Sequence, residues 1–389
     1  MASPSIQEGL AMHFCVDRIA FRDALQRVEM AIDRKPTRPI LGGVLVQAQD
    51  DALILLATDL EIAVRYRIGD VQVEQSGWAV LPGKELVEVV KDVESETVSV
   101  QLQAEGRCRL EAGEDQCELV TMESSVGSDL DLKSLFPEVP VLPDQASAAV
   151  DKATFLQMVS STRFATSRVQ DSRFATEGVL FELNGSEMTL VGTDGRRLAC
   201  IRREALETSG DKQRSVLLPK VLDQILRFGQ DEAVEELQIY FLDSQVGFRI
   251  GNLESFGRVL DGEFPNYDNV IPKSTKHLIR AHREGLTKKL RLASHLTQDA
   301  SSVVRLQISE DSMEVSAEHE GRGRASGSLE VDYGGNGITA QFNPNYLLDG
   351  LKVAHGEQVE LHMEEASRPA KFVLGEDFTY VVMPLTHFP

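Results

Sequence analysis

The residues best placed to do chemistry are two aspartates, Asp59 and Asp194. Each follows a β-like run and a threonine, in Ala57-Thr58-Asp59-Leu60-Glu61 and in Thr193-Asp194-Gly195-Arg196. Two carboxylates can shuttle a proton or hold a magnesium ion. Their neighbours support neither task. No histidine, serine elbow or cysteine stands in a recognised arrangement with them. The 8 histidines are scattered without zinc spacing, and nothing resembles a nucleotide-binding P-loop. The two aspartates also sit at equivalent places in a repeated block, which separates them rather than converging them on one cleft. They read as turn residues that accept local backbone N–H groups. No catalytic residue, metal or cofactor is expected.

The block itself is the stronger signal. Gly43-Val44-Leu45-Val46 precedes the first Thr-Asp pair, and Gly178-Val179-Leu180-Phe181-Glu182 precedes the second at the same spacing. A worn third copy runs from Val303-Val304-Arg305-Leu306 to Glu318-His319-Glu320. A proline-led helix start follows each, at Pro82, Pro219 and Pro344. The copies are offset by about 135 and then about 125 residues, far beyond the roughly 20–50 residue periods of solenoids. One domain is used three times.

The chain has 389 residues, and a soft prior of about 150 per domain agrees with two or three domains. Boundaries are expected near 145 and 275, at the proline-bearing segments 139–149 and 271–276. The domains are then 12–145, 146–275 and 276–389, after a loose N-terminal extension at 1–11. No apolar run approaches the roughly 20 residues of a membrane span, and no signal peptide is evident. The 4 cysteines form no C-x-x-C pair. A reduced, cytoplasmic setting is expected.

The elements that must position the motifs are mostly short strands. Alternating runs fall at 52–58, 97–102, 107–111, 187–191, 236–241, 246–250, 312–317, 358–363 and 378–383. Helices recur in pairs: 18–32 with 83–92, 152–164 with 219–228, and 284–296 with 344–353. Phe21, Leu25, Val28 and Ile32 form one buried stripe on the first, and Leu286, Leu290 and Ala293 one on the fifth. The fold class is α+β: three repeats of antiparallel sheet with two helices each.

Net charge is −21, which taken alone favours solubility and opposes a nucleic-acid partner. The average hides a segregation. Four stretches around the helices, 17–38, 152–173, 212–227 and 280–291, are each positive and together carry roughly +12, so the remainder carries roughly −33. Lys288 and Arg291 lie opposite the leucine stripe of their helix. If the helices share one surface, it is a basic track suited to sequence-independent phosphate contact. Exposed helix faces are commonly Lys/Arg-rich as well, and the remaining two helices are neutral or slightly acidic. No helix-turn-helix, zinc finger or RNA-binding signature occurs.

At Thr193-Asp194-Gly195-Arg196-Arg197-Leu198-Ala199 and Tyr380-Val381-Val382-Met383-Pro384-Leu385 the chain resembles the bacterial sliding-clamp family, the beta subunit of DNA polymerase III. Further matches are Pro36-Thr37-Arg38-Pro39-Ile40-Leu41-Gly42 and Leu260-Asp261-Gly262-Glu263-Phe264-Pro265-Asn266-Tyr267. They run in the family's order over nearly the whole chain. The resemblance implies a non-catalytic accessory subunit of the DNA-directed DNA polymerase holoenzyme. Two chains would close head-to-tail into a homodimeric ring around double-stranded DNA and confer processivity, after loading by an ATP-dependent clamp loader. The setting would be cytoplasmic, nucleoid-associated at replication forks, with no membrane partner.

The same resemblance implies three sets of residues. Arg18, Arg22, Lys35, Arg163, Arg168, Lys220, Arg227, Lys288, Lys289 and Arg291 would face DNA. A pocket for short peptide motifs of polymerase subunits and the loader would be built from Arg173, Thr176, Thr193, Gly195, Arg197, Leu198, Pro265, Val270, Val381, Val382, Met383, Pro384 and Leu385. Leu198, Val270, Val382 and Met383 would supply an apolar floor for a leucine or phenylalanine anchor. Arg173 and Arg197 would hold polar ends or carboxylates. Cys117 and Leu119, with His295 and Leu296, would form the dimer interface. The chain departs from the family at Arg196, at His295 and in the tail Thr386-His387-Phe388-Pro389. Two other readings remain open on residues alone: an enzyme using the aspartates, and a β-rich scaffold without a DNA role.

Overall fold

The computed structural model describes residues 12–124, 135–168, 174–297 and 303–385. The expected extension at 1–11, Arg173 and the tail 386–389 lie outside them. Contacts gather into two compact units, Met1–Lys152 with Asp223–Arg258 and Ala153–Leu222 with Val259–Pro389.

Helices form where caps and apolar spacing coincide. Helix α1 (Arg18–Glu29) is capped by Asp17, whose carboxylate accepts the Ala20 N–H at 2.8 Å. It buries Phe21, Ala24, Leu25 and Val28. Ile32, expected to extend that stripe, lies past the helix end. Helix α2 is Gly83–Asp92, α3 is Lys152–Thr162 and α4 is Pro219–Phe228. Helix α5 (Arg283–Ser294) buries Leu286, Leu290 and Ala293, the stripe read from the sequence. Helix α6 (Pro344–Lys352) starts on proline behind Asn343, whose side chain accepts the Asn345 N–H at 2.9 Å. No helix of the described residues is long and apolar enough to cross a membrane.

In the first unit one sheet has the order Gln72–Gln75, His13–Asp17, Thr97–Gln103, Arg107–Ala112, Asp115–Val120. A second runs Gly77–Pro82, Gly43–Gln49, Ala52–Thr58, Ile62–Ile68, Leu253–Arg258, Gln245–Ile250, Glu236–Phe241, Ala148–Asp151. The second unit holds one long sheet. Its order is Gln213–Leu217, Val179–Asn184, Glu187–Thr193, Arg197–Glu204, Phe378–Val382, Ala370–Gly375, Gln358–Met363, His277–His282, Gly323–Asp332, Ser312–His319, Val304–Ser309, Ile338–Phe342. These ladders are antiparallel. The architecture is α+β, as expected.

The repeat is visible as three consecutive antiparallel strands in each third. In the first copy the third strand, Ile62–Ile68, pairs with Leu253–Arg258, placing Phe256 opposite Ala63. In the second, Arg197–Glu204 pairs with Phe378–Val382, placing Val381 opposite Leu198. These two repeats thus each borrow a strand from far along the chain. This is why residues 223–258 group with the first unit rather than with the middle third of the sequence.

Candidate functional site

The Thr-Asp motifs fold into one turn, used twice. Thr58 Oγ1 donates to the Ile62 carbonyl at 2.8 Å and accepts the Leu60 N–H at 3.0 Å. Asp59 Oδ1 accepts the N–H groups of Glu61 and Ile62 at 3.0 and 2.9 Å. In the second copy Thr193 Oγ1 donates to the Arg197 carbonyl at 2.7 Å and accepts the Gly195 N–H at 3.2 Å. Asp194 Oδ1 accepts the N–H groups of Arg196 and Arg197 at 2.9 and 3.0 Å. Both aspartates are turn residues, committed to local backbone as read from the sequence. Leu60 and Gly195 take the same left-handed backbone, φ 75° and φ 80°.

Behind the second turn lies a pocket of about 270 Å³. It is lined by residues from three places along the second unit. The strand pair supplies Leu198 and Val381, 2 % and 1 % exposed, as a floor. The segment after Gly262 supplies Pro265, Tyr267 and Val270. Thr176, Thr193, Gly195, Arg197 and Met383, also expected there, line it too. Val270 and Met383 stand at the rim, 40 % and 39 % exposed. An apolar floor with exposed, adaptable apolar walls can bind a hydrophobic side chain.

Not every expected residue joins it. Val382 is fully buried and turned to the other face of its strand, because neighbours alternate. Pro384 is buried and Leu385 is tied by its N–H to the Gln341 carbonyl at 2.8 Å; neither lines the pocket. Phe174, Asp194 and Tyr267 line it as well, beyond the residues expected from the sequence, and Arg196, a departure from the family, stands at the pocket too. Tyr267 had a signal in the Phe264-Pro265-Asn266-Tyr267 motif. Its hydroxyl donates to Glu182 Oε2 at 2.6 Å, and burial followed by that carboxylate pushes its pKa up.

The arginines exchange roles. Arg197 was expected to hold ligand carboxylates, but its guanidinium is already committed. Nε donates to Asp194 Oδ2 at 3.0 Å, Nη1 to Asp349 Oδ2 at 2.5 Å and Nη2 to the Phe164 carbonyl at 2.9 Å. Its Cζ lies 4.7 Å from the Tyr346 ring and 5.4 Å from Phe164. Arg197 therefore fixes the turn from behind. Arg196 is exposed at the pocket and makes no ion pair with any described residue.

The basic residues separate by exposure. Lys35, Arg168, Arg227, Lys288 and Arg291 are exposed. Lys288 pairs with Glu284 at 3.6 Å and Arg22 with Asp23 at 2.8 Å. Arg18 is turned to the Ser95 carbonyl at 2.8 Å. The Lys289 stem covers Gly327, where an added Cβ would meet it at 2.9 Å. Arg163 and Lys220 are half-buried. Arg27, one of the cations of the basic stretch 17–38, is buried on Glu232.

At the expected interface, Cys117 is half-buried and His295 exposed at the end of α5. Leu119 is 8 % exposed and packs within its own unit, whereas neighbouring Val120 is 68 % exposed. Their strand is the outer one of its sheet among the described residues. No group of three or more His, Cys, Asp or Glu among the described residues is arranged to hold a metal.

Family models for the N-terminal, central and C-terminal domains of the DNA polymerase III beta subunit match residues 12–126, 149–266 and 268–386. The chain belongs to this family. The family is a non-catalytic sliding clamp. The beta sliding clamps of Salmonella typhimurium and Escherichia coli K12 are each 27 % identical over 377 and 378 residues, 96 % of this chain and 100 % of theirs. A sliding clamp structure from Bacillus subtilis superposes with TM-score 0.90 at 24 % identity, covering 97 % of this chain and 100 % of that one. The Pseudomonas aeruginosa clamp bound to griselimycin gives TM-score 0.87 at 26 % identity, with the same coverage. The three-domain match explains the threefold repeat and disposes of the enzyme reading.

Proposed function

We propose that two copies of this chain close head-to-tail into a ring around double-stranded DNA and hold the replicative polymerase there. The observation that carries this reading is the match of all three beta-subunit domain models, in order, along one chain. A topological link needs no tight affinity, so weak phosphate contacts suffice and sticking is avoided. The exposed cations Lys35, Arg168, Arg227, Lys288 and Arg291 would make those contacts. The remaining acidic surface disfavours DNA elsewhere.

Peptides of polymerase subunits and of an ATP-dependent loader dock in the pocket floored by Leu198 and Val381. What supports this is the combination of an apolar floor, the exposed and adaptable thioether of Met383 and the hydrogen-bonded Thr193-Asp194 turn. The outer strand Asp115–Val120 and the end of α5 at His295 and Leu296 join the two copies.

The decisive experiment loads the clamp on a nicked circular plasmid and then linearises the DNA. A ring is retained on the circle and slides off the linear ends. Equal retention on both would refute encirclement. Light scattering at micromolar concentration gives twice the 42.9 kDa chain mass if the ring is a dimer; a monomer would count against it.

A further inference from the structure

The apolar pocket continues into a second hollow whose lining includes Gly195, Val270, Met383, Lys273, Arg368 and Glu364. Gly195, Val270 and Met383 belong to both, so one extended ligand can cross the shared rim from one into the other. The chemistry changes at that rim. Beyond it stand two cations, Lys273 and Arg368. Both are exposed, and neither is ion-paired with any described residue.

Several other cations of this unit are already held by carboxylates. Arg202 reaches Asp268 at 3.5 Å, Arg214 reaches Glu182 at 3.1 Å, Lys276 reaches Glu365 at 3.8 Å and Arg280 reaches Glu360 at 2.8 Å. Arg196, at the mouth of the apolar pocket, is a third cation without an ion pair among described residues. One acid, Glu364, lines the hollow against them. Unpaired cations cluster where a ligand would leave the apolar floor, in a chain whose net charge is −21.

We propose that the peptide docked in the apolar pocket extends into this hollow with an acidic segment, whose carboxylate is held by Lys273 and Arg368. This rests on the peptide-docking reading of the apolar pocket. The hollow then selects among hydrophobic peptides, accepting those with acidic flanks and disfavouring basic ones. Arginine can grip a carboxylate with two parallel N–H bonds, and lysine adds a point charge.

The test is fluorescence anisotropy with the full chain and two labelled ten-residue peptides. Both carry one Leu-Phe anchor; one has aspartates on each side and the other asparagines. At low salt the aspartate peptide binds about 3- to 10-fold tighter, the scale of two exposed ion pairs. The preference shrinks as salt rises. It vanishes in the double variant Lys273→Gln with Arg368→Gln, which still binds the asparagine peptide with unchanged affinity and so reports its own folding. Equal binding of the two peptides to the unaltered chain overturns the acidic extension and leaves the apolar pocket standing. So does a preference that survives in the double variant. Binding of neither peptide overturns the pocket reading and the extension together.

Discussion

The backbone N–H of Met383 donates to the carbonyl of Arg196 at 2.9 Å, stitching the last strand to the Thr193-Asp194 turn. Arg258 donates to Glu61 in the same way at 2.8 Å in the first unit. The backbone bond is repeated and the side chains differ. The second copy places a thioether and a glycine beside the turn, and the first an arginine and Leu60. Behind the first turn Phe136, Val139 and Leu142 pack with Leu45, Leu56, Ala63, Val80 and Phe256. In the second copy Phe264 and Tyr267 meet Leu180, Val191, Leu198, Val216 and Val381. Two Phe-Pro segments press on equivalent sheets, and the second leaves Leu198 and Val381 open to a ligand.

Gly195 is the cheapest place to disturb this site. An added Cβ there meets nothing within 4 Å, so the penalty of a side chain is purely its left-handed backbone. Gly195→Val should cost about 1–2 kcal/mol and weaken peptide binding at the pocket mouth. Thermal melting and anisotropy check both. A variant melting with the parent would mean that the turn relaxes freely.

Arg27 and Glu232 form a buried pair, with side chains 10 % and 8 % exposed and Nε 3.1 Å from Oε1. The Tyr66 ring lies 5.0 Å from the guanidinium. Arg27→Met strands the carboxylate and should cost about 3–5 kcal/mol; adding Glu232→Met should restore most of it. Urea denaturation measures each. A loss below about 1 kcal/mol in the single variant would show that water reaches Glu232.

His355 supplies a pH dependence. Its ring contacts Ser161 Oγ at 3.3 Å and lies 6.1 Å from the Phe378 ring. Burial, then Arg203 and Arg283, lower its pKa from the ordinary 6.5. The unfolded chain takes up a proton near 6.5 while the folded one resists. The contribution is therefore fully present above 6.5 and is lost as the pH falls below it. His355→Gln should flatten the stability profile below pH 6.5 in urea melts; an unchanged slope would assign it to other groups.

Much of this protein was legible before any fold. Helices α2 and α4 begin and end where proline starts and apolar spacing put them, because caps and periodicity act within one or two turns. The bonding of Asp59 and Asp194 follows from a side chain reaching backbone two or three residues on. Helix α1 stops short of the expected Ile32 because the apolar stripe outlasts the helical backbone; periodicity marks burial and not hydrogen bonding.

What the sequence determined by itself is local and repetitive: the α+β class, the paired helices and the twice-used turn; that Val381 rather than Val382 floors the pocket was decided by the fold. The tertiary structure alone decided how the charges are spent. Arg197 is taken by Asp349, 152 residues away, Arg27 by Glu232, and Val382 faces away from the pocket that Val381 lines. Arg196, Lys273 and Arg368 are left unpaired beside that pocket among the described residues. Charge counts and spacing carry no record of such pairings, because a guanidinium goes to the carboxylate the fold brings within reach, whatever their separation along the chain.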